Sequence, residues 1–180
     1  MKKIAILNDI HSNYLLLKLV LDDIQKYNVD DFIFCGDYVT DGFDNDRVVN
    51  TIKNKTQNII AGNRDLSIAN YDNMSWENIN QMKSMLYAYN NITNDNKNFL
   101  KSLPIFKILE IENKRICFSH GTPSDVRKLV SNTSFDVFDK LITEFSCDVY
   151  LFAHTHIPFH VIHKNKHFIN SGAISCSVNN

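Results

Sequence analysis

Short apolar runs separated by amphipathic stretches make up the first third of the chain. Residues 3–8, 31–35 and 57–61 each have the length and composition of a buried β-strand. The stretches between them repeat apolar residues at helical spacing, at Leu17, Val20, Leu21, Ile24 and Tyr27 in the first and at Val48, Val49 and Ile52 in the second. The order β-α-β-α-β predicts a parallel sheet with right-handed crossover connections.

The rest of the chain carries further helix and strand signals. Residues 75–103 predict two helices, with Ser75 and Thr93 as their caps. An amphipathic pattern over residues 134–145 predicts one more helix. Strands are predicted at 105–111, 115–119, 148–152, 158–163 and 166–170. No internal repeat or linker is visible, so we expect one domain over residues 1–180.

The composition is that of a globular protein. The chain has 180 residues, 44% of them hydrophobic and 22% charged, which is enough for a sizeable core. A net charge of −1 and the lack of a long basic run argue against nucleic acid binding. The apolar stretch before Asn8 is too short for a signal peptide, and no stretch approaches the ~20 apolar residues of a membrane span. We therefore expect a soluble, cytoplasmic protein without a membrane partner, and homo-oligomerisation stays open.

Five polar clusters follow predicted strands. The clusters are Asp9 with His11, Gly36 with Asp37, Gly62 with Asn63, His120 with Gly121, and His154 with His156. Ligands of parallel sheets gather beyond the carboxyl ends of the strands, where the first three clusters fall. Together the clusters supply two Asp, one Asn and four His, enough to hold two metal ions about 3.5–4 Å apart.

Each cluster also has an ordinary structural interpretation on its own. The two Asp residues and Asn63 could be turn or cap residues. His120 could be a hydrogen-bonded core histidine, and the two histidines of the H-T-H stretch could be an incidental pair. Suitable side chains at the ends of so many strands are hard to obtain by accident, so the combination favours a dinuclear metal site.

The clusters in this order resemble the motifs of the calcineurin-like metallophosphoesterase superfamily, in its small bacterial-type branch. The resemblance rests on the stretches NDIHSN, CGDYV, AGNRD, FSHGTP and FAHTH, whose motif residues span 9 to 156. It implies an α/β fold, a four-layer αββα sandwich of two mixed β-sheets flanked by helices. It also implies hydrolysis of a small-molecule phosphomonoester or phosphodiester by a metal-bridging hydroxide.

The resemblance further assigns the individual residues. It implies two divalent metal ions, with manganese favoured and iron, zinc, nickel or cobalt as alternatives. The first ion would be held by Asp9, His11, Asp37 and His156, and the second by Asp37, Asn63, His120 and His154, so that Asp37 is shared. The implied catalytic residues are Asp37, Asn63, Arg64 and His120.

Arg64 departs from the family pattern. The third motif often reads G-N-H-D or G-N-H-E, with His as the general acid, whereas this chain has GNRD. An arginine side chain does not release a proton usefully, but it makes bidentate contacts to phosphate oxygens. The alternative is that Arg64 pairs with Asp65 or with another surface acid.

Two other functions stay open at this point. The fold could serve as a catalytically silent scaffold for protein interaction, although the complete ligand set favours the enzyme. A protein phosphatase is less favoured, because no insert for gripping a protein is evident. His160, His163 and His167 lie outside the motifs and are expected to be surface or half-buried strand residues.

Overall fold

The computed structural model describes residues 1–71 and 79–176, with the backbone alone for residues 79–82. The strands are β1 (Ile4–Leu7), β2 (Asp31–Phe34), β3 (Phe106–Ile111), β4 (Lys114–Ser119), β5 (Val149–Phe152), β6 (Phe159–His163) and β7 (Lys166–Asn170). The helices are α1 (Tyr14–Ile24), α2 (Asn45–Lys53), α3 (Asn63–Ala69), α4 (Ile79–Asn91), α5 (Asn94–Ser102) and α6 (Phe135–Phe145). A 3-10 turn, Gln25–Tyr27, extends α1. The predicted cap Ser75 lies outside the described residues.

The first sheet pairs β1 with β2 in parallel, as the β-α-β pattern predicts. The third predicted strand, 57–61, is wrong in extent, because it joins β2 only through a bridge between Phe34 and Ile59. Its remaining hydrogen-bonding groups have other partners: Ala61 N donates to the Pro104 carbonyl, and the Ile60 carbonyl accepts from Tyr38 Oη. The chain then turns directly into α3.

The second sheet has the strand order β3-β4-β5-β7-β6. Its two outer pairs, β3 with β4 and β6 with β7, are antiparallel hairpins, as predicted. Its central strands β4, β5 and β7 run parallel. The carboxyl ends of β4 and β5 therefore meet at one edge, so the loops that follow these strands lie side by side.

Three apolar clusters separate four layers. Between the sheets, Ile33 of β2 and Cys35, which directly follows β2, pack with Phe118 and Leu151 of the second sheet. The outer face of the first sheet is covered by helices, with Leu17, Val48, Val49 and Ile52 fully buried. On the outer face of the second sheet, α6 buries Phe138 and Leu141. The sandwich of two sheets flanked by helices is thus confirmed.

Some local predictions were wrong. Tyr27 was expected on the buried face of the first helix, but 59% of its surface is exposed because the helix tightens into the 3-10 turn there. Thr93 is the N-cap residue of α5, as predicted, although its hydroxyl donates to Asp46 and makes no hydrogen bond to the helix. The four cysteines are free thiols, and only Cys176 is exposed. In the described part of the chain, no helix is long and apolar enough to cross a membrane.

Candidate metal centre

The loops that follow β1 and β2 are joined by backbone hydrogen bonds. Asp9 N donates to the Gly36 carbonyl at 3.0 Å, and Ile10 N donates to the Asp37 carbonyl at 2.9 Å. Asp9, His11 and Asp37 all have positive φ angles, at 52°, 49° and 56°. Such left-handed conformations are costly for residues other than glycine and concentrate at functional sites. At this site the left-handed conformations direct the side chains that follow β1 and β2 toward one cleft.

Gly62 lets α3 begin directly against Asp37. A Cβ atom at position 62 would lie 2.2 Å from Asp37 Oδ1 and 2.4 Å from Asp37 N, closer than any real contact. The approach allows the backbone N–H of Arg64 to donate to Asp37 Oδ1 at 2.8 Å. The G-N-R-D stretch therefore holds the Asp37 carboxylate while Asn63 reaches the same cleft.

Two groups of three ligand-type side chains converge at this edge of the sandwich. The groups are Asp9 with His11 and His156, and Asp37 with His120 and His154, and within each group the candidate donor atoms lie within 4.8 Å of one another. His120 and His154 end adjacent strands, whose loops are tied by a hydrogen bond from Ala153 N to the His120 carbonyl at 2.9 Å. In the part of the chain that the structure describes, these are the groups with metal-ligand spacing.

The first group is compact. Asp9 Oδ1 lies 3.2 Å from His156 Nε2 and 3.9 Å from His11 Nε2. The two imidazole nitrogens Nε2 of His11 and His156 lie 3.4 Å apart. One carboxylate oxygen and two imidazole nitrogens thus point at a common position.

The second group lies directly beside the first. Asp37 Oδ2 is 3.4 Å from His120 Nε2, and the rings of His120 and His154 have centroids 5.0 Å apart. Asp9 Oδ1 also lies 3.9 Å from His120 Nε2, so this carboxylate oxygen faces both groups. The shared role of Asp37 that the resemblance implies stays a prediction, because the metal-free geometry groups Asp37 with His120 and His154 alone.

The unpaired atoms of the site test whether these residues fit metal ions. Asp9 Oδ1, Asn63 Oδ1 and His120 Nε2 are buried and have no hydrogen-bond partner. An unsatisfied buried polar atom costs about 1–3 kcal/mol, and such atoms usually mark a missing ion or water. Carboxylate, amide and imidazole donors suit hard to borderline divalent cations. The residues therefore fit a pair of divalent ions, with Asn63 added to the two groups.

Hydrogen bonds outside the groups fix the orientation of the ligands. His120 Nδ1 donates to the Cys35 carbonyl and His156 Nδ1 donates to the Cys176 carbonyl, each at 2.8 Å. Both imidazoles thereby present Nε2 to the cleft, the arrangement that second partners impose on metal-binding histidines. Asp9 Oδ2 accepts from Asn8 Nδ2 at 2.7 Å, which leaves Oδ1 free.

The segment after β7 also supports the site. Ile174 N and Ser175 N donate to the carbonyls of Asn8 and Asp9, at 3.2 and 2.9 Å. The carbonyl of Cys176, in the same segment, accepts the hydrogen bond from His156 Nδ1. The sequence held no signal for this contact, because it depends on the last segment returning beside β1.

Asp65 is a structural residue of this site. It is fully buried and accepts hydrogen bonds from the backbone N–H groups of Asp37, Tyr38 and Gly62, at 2.8 to 3.0 Å. Burial and the nearby Asp37 charge raise the pKa of Asp65 to about 7. The idea that Arg64 pairs with Asp65 on the surface is wrong, because Asp65 turns inward.

The acid that Arg64 does approach is Asp41. Arg64 Nη2 lies 3.7 Å from Asp41 Oδ2, and the same oxygen lies 3.3 Å from His11 Nδ1. Both residues line the cleft of about 340 Å³ that contains the ligand groups. Sequence reasoning missed Asp41, although a second carboxylate four positions after Asp37 was a visible signal.

The charged groups of the cleft interact strongly. Burial opposes the ionisation of Asp37, but His120, His11 and the Arg64 backbone N–H together outweigh burial and hold the pKa of Asp37 well below its usual range. Burial likewise opposes protonation of His120, but the Asp37 and Asp9 carboxylates raise its pKa to about 9. Burial lowers the pKa of His154, and the contact with Asp9 raises that of His156. A protonated His120 thus supplies part of the positive charge that a bound cation would supply to these carboxylates.

Metal binding is therefore expected to release protons. Below pH about 9, His120 of the metal-free protein carries a proton that a metal ion must displace. The apparent affinity for Mn²⁺ should fall as the pH is lowered from 9 to 6, about tenfold per pH unit for each proton released. Calorimetric titration with Mn²⁺ at pH 7.5, in buffers of different ionisation enthalpy, measures this proton count. Heats that do not depend on the buffer would contradict the expectation.

The remaining histidines lie away from the cleft, as predicted. His160 Nε2 and His167 Nδ1 lie 3.0 Å apart on β6 and β7. His163 contacts Asp139 of α6 at 2.6 Å. The first contact links β6 to β7, and the second links this hairpin to α6.

Comparison with known proteins finds similarity over most of the chain. A family model described as the calcineurin-like phosphoesterase superfamily domain matches residues 1–179. The uncharacterised protein MJ0912 of Methanocaldococcus jannaschii is 28% identical over 162 residues, which cover 87% of this chain and 63% of that protein. The chain thus spans less than two thirds of the length of this curated relative.

Solved structures show the same fold. A metallophosphoesterase from Sphaerobacter thermophilus has a TM-score of 0.80 at 21% identity, covering 98% of this chain and 78% of that chain. The hypothetical protein PH1004 from Pyrococcus horikoshii has a TM-score of 0.82 at 18% identity, covering 97% of this chain and 77% of that chain. At these identities the likeness establishes the architecture alone.

Proposed function

The chain belongs to the calcineurin-like phosphoesterase superfamily, and on that basis we propose that it is a metal-dependent hydrolase of small phosphate esters. The observation that carries the proposal is the pair of ligand groups at one edge of the sandwich, together with three buried atoms of this site, Asp9 Oδ1, Asn63 Oδ1 and His120 Nε2, that lack hydrogen-bond partners within the protein. A buried, unsatisfied donor set of this kind is costly unless a cation completes it. The fold by itself would not support the conclusion, because folds host many functions.

We propose that two divalent ions, with Mn²⁺ favoured, are held by the residues of the two groups together with Asn63. Asp9, His11 and His156 would hold one ion, and Asn63, His120 and His154 the other, with Asp37 shared. When bound, such ions neutralise phosphoryl charge and lower the pKa of coordinated water toward neutrality. The chain supplies the fixed orientation, through the backbone partners of His120 and His156.

Arg64 is proposed to contact a phosphoryl oxygen of the substrate. Its side chain is four-fifths buried beside the cleft, and Nη2 lies 3.7 Å from Oδ2 of its acidic neighbour Asp41. A guanidinium at that position binds an anionic oxygen through charge-assisted hydrogen bonds. Among the cleft residues that the structure describes, the ionisable side chains other than the proposed ligands are Asp41, Arg64 and Cys176, so no further histidine lines the cleft.

A panel of phosphate esters tests the proposal. The protein is stripped with a chelator and assayed on 4-nitrophenyl phosphate and bis(4-nitrophenyl) phosphate, each with Mn²⁺, Ni²⁺, Co²⁺, Zn²⁺ or Mg²⁺. We expect activity that is lost on stripping and restored by at least one of the ions, because in the proposed reaction the bound ions supply the hydroxide nucleophile. Equal inactivity under every metal would favour the alternative, a silent scaffold for protein interaction.

A further inference from the structure

We propose that Asp41 is a specificity-determining residue of this cleft, which holds Arg64 in place and biases the site against doubly charged phosphomonoesters. The inference rests on the proposed function, because it concerns the choice of substrate at the same site. Its basis is the position of one carboxylate between a proposed metal ligand and the proposed phosphate-binding arginine. Asp41 Oδ2 lies 3.3 Å from His11 Nδ1 and 3.7 Å from Arg64 Nη2.

The Asp41 side chain is held on its other side by α4. Asp41 Oδ1 accepts from Ser84 Oγ, and Asp41 N donates to the same hydroxyl, both at 2.8 Å. Ser84 fixes one carboxylate oxygen, and Thr40 Oγ1 donates at 3.0 Å to the other, which is the oxygen that faces His11 and Arg64. The carboxylate is thus held in one orientation rather than free to swing into solvent.

The loop that carries Asp41 is itself tightly constrained. Thr40 and Asp41 both have positive φ angles, 77° and 61°, which non-glycine residues rarely adopt. A Cβ atom on Gly42 would lie 2.5 Å from the His11 carbonyl, so the loop packs directly on the D-x-H turn. The chain therefore maintains a strained backbone at the residue that turns a carboxylate toward the cleft, which is typical of functional positions.

The charge of Asp41 has two consequences for an incoming phosphate. It offsets part of the positive charge of Arg64, so that the attraction of the guanidinium for an anion is reduced. It also places a negative charge at the wall of a cleft that must accept one charge from a phosphodiester and up to two from a phosphomonoester. Because like charges repel in proportion to their product, the doubly charged ester is penalised more.

The test compares two esters with the same leaving group, 4-nitrophenyl phosphate and bis(4-nitrophenyl) phosphate, on the Mn²⁺-loaded protein at pH 8. In Asp41→Asn, the ratio of kcat/KM for the monoester to that for the diester should rise about tenfold. Asp41→Glu, which keeps the charge, should stay near the wild-type ratio. Arg64→Met should shift the ratio in the opposite direction, because Asp41 is then uncompensated.

A binding measurement separates this inference from the proposed function. Calorimetry should show inorganic phosphate, mostly a dianion at pH 8, binding about tenfold more tightly to Mn²⁺-loaded Asp41→Asn than to wild type. Dimethyl phosphate, a monoanion, should gain much less. If no ester is hydrolysed by any variant but phosphate binding changes in this way, the proposed function fails and the role of Asp41 as a charge filter stands.

The matched control is Asp44→Asn, which makes the same charge change three residues along the loop. The Asp44 carboxylate pairs with Arg47 at 3.3 Å on the surface and does not line the cleft. An unchanged ester ratio in Asp41→Asn, or an equal shift in Asp44→Asn, would overturn the inference. Loss of both activities in parallel with loss of bound metal would also overturn it, because Asp41 would then act only by orienting His11.

Discussion

Asp37→Asn is expected to lose both metal ions together and to lower kcat/KM by about 10³-fold or more. A metal ion contributes several kcal/mol of transition-state stabilisation, and each 1.4 kcal/mol is a factor of ten in rate. Asp37 is the proposed shared ligand, so an amide in its place removes the negative charge that both ions need. The structure adds that Asp37 also receives the Arg64 N–H, a bond that the amide oxygen of Asn preserves.

Elemental analysis of the purified variant, after dialysis against metal-free buffer, measures the loss. The control is Asp22→Asn, which changes an exposed carboxylate on α1 that pairs with Lys18 and should keep the wild-type metal content. A circular dichroism spectrum matching wild type shows that the variant is folded. Two tightly bound metal ions in folded Asp37→Asn would contradict the shared role, and loss of one ion would restrict Asp37 to the His120 group.

The rate of the wild-type protein is expected to depend steeply on the pKa of the leaving group. General acid catalysis is typically worth about 10²–10⁴-fold, and Arg64 occupies the motif position where a histidine would donate the proton. Aryl phosphates and activated diesters should therefore be cleaved about 10²-fold or more faster than alkyl monoesters such as sugar phosphates. A series of substituted phenyl esters, plotted as log kcat/KM against leaving-group pKa, measures the slope.

Variants at position 64 separate phosphate binding from proton donation. Arg64→Ala should raise KM or lower kcat through the lost contact to phosphate, and the slope should stay steep. Arg64→His is expected to flatten the slope by supplying a proton donor. Arg47→Ala is the matched control, because Arg47 lies on α2 with its guanidinium over Tyr14 and beside Asp44, away from the cleft. A flat wild-type slope that Arg64→Ala leaves unchanged would remove Arg64 from the catalytic machinery.

Local patterns determined most of the architecture in advance. The strand and helix periodicities predicted the β1-α1-β2 unit, the hairpins β3-β4 and β6-β7, and α6, because each depends on neighbouring residues and on one buried face. The five motifs also pointed to side chains that converge in the cleft, because each motif follows a strand and the strand ends meet at one edge of the sandwich.

Contacts between distant segments were decided only by the tertiary structure. The 57–61 strand was cut short because its second edge bonds to Pro104 and Tyr38, partners far outside its own pattern. Asp65 is a buried acceptor of three backbone N–H groups, although its sequence neighbours suggested a surface acid. Its environment depends on how closely Gly62 approaches the loop after β2, which no local pattern encodes.

The same division holds within the site. The residue types of the proposed ligands follow from the sequence, because metal chemistry favours a few side-chain types, which stand here at strand ends. The surroundings of Arg64 do not follow from the sequence, because its neighbour Asp41 is oriented by Ser84, which lies on a helix 43 positions away. Side chains from separate elements meet only once the layers pack, and their charges interact strongly there because burial removes the solvent that would screen them.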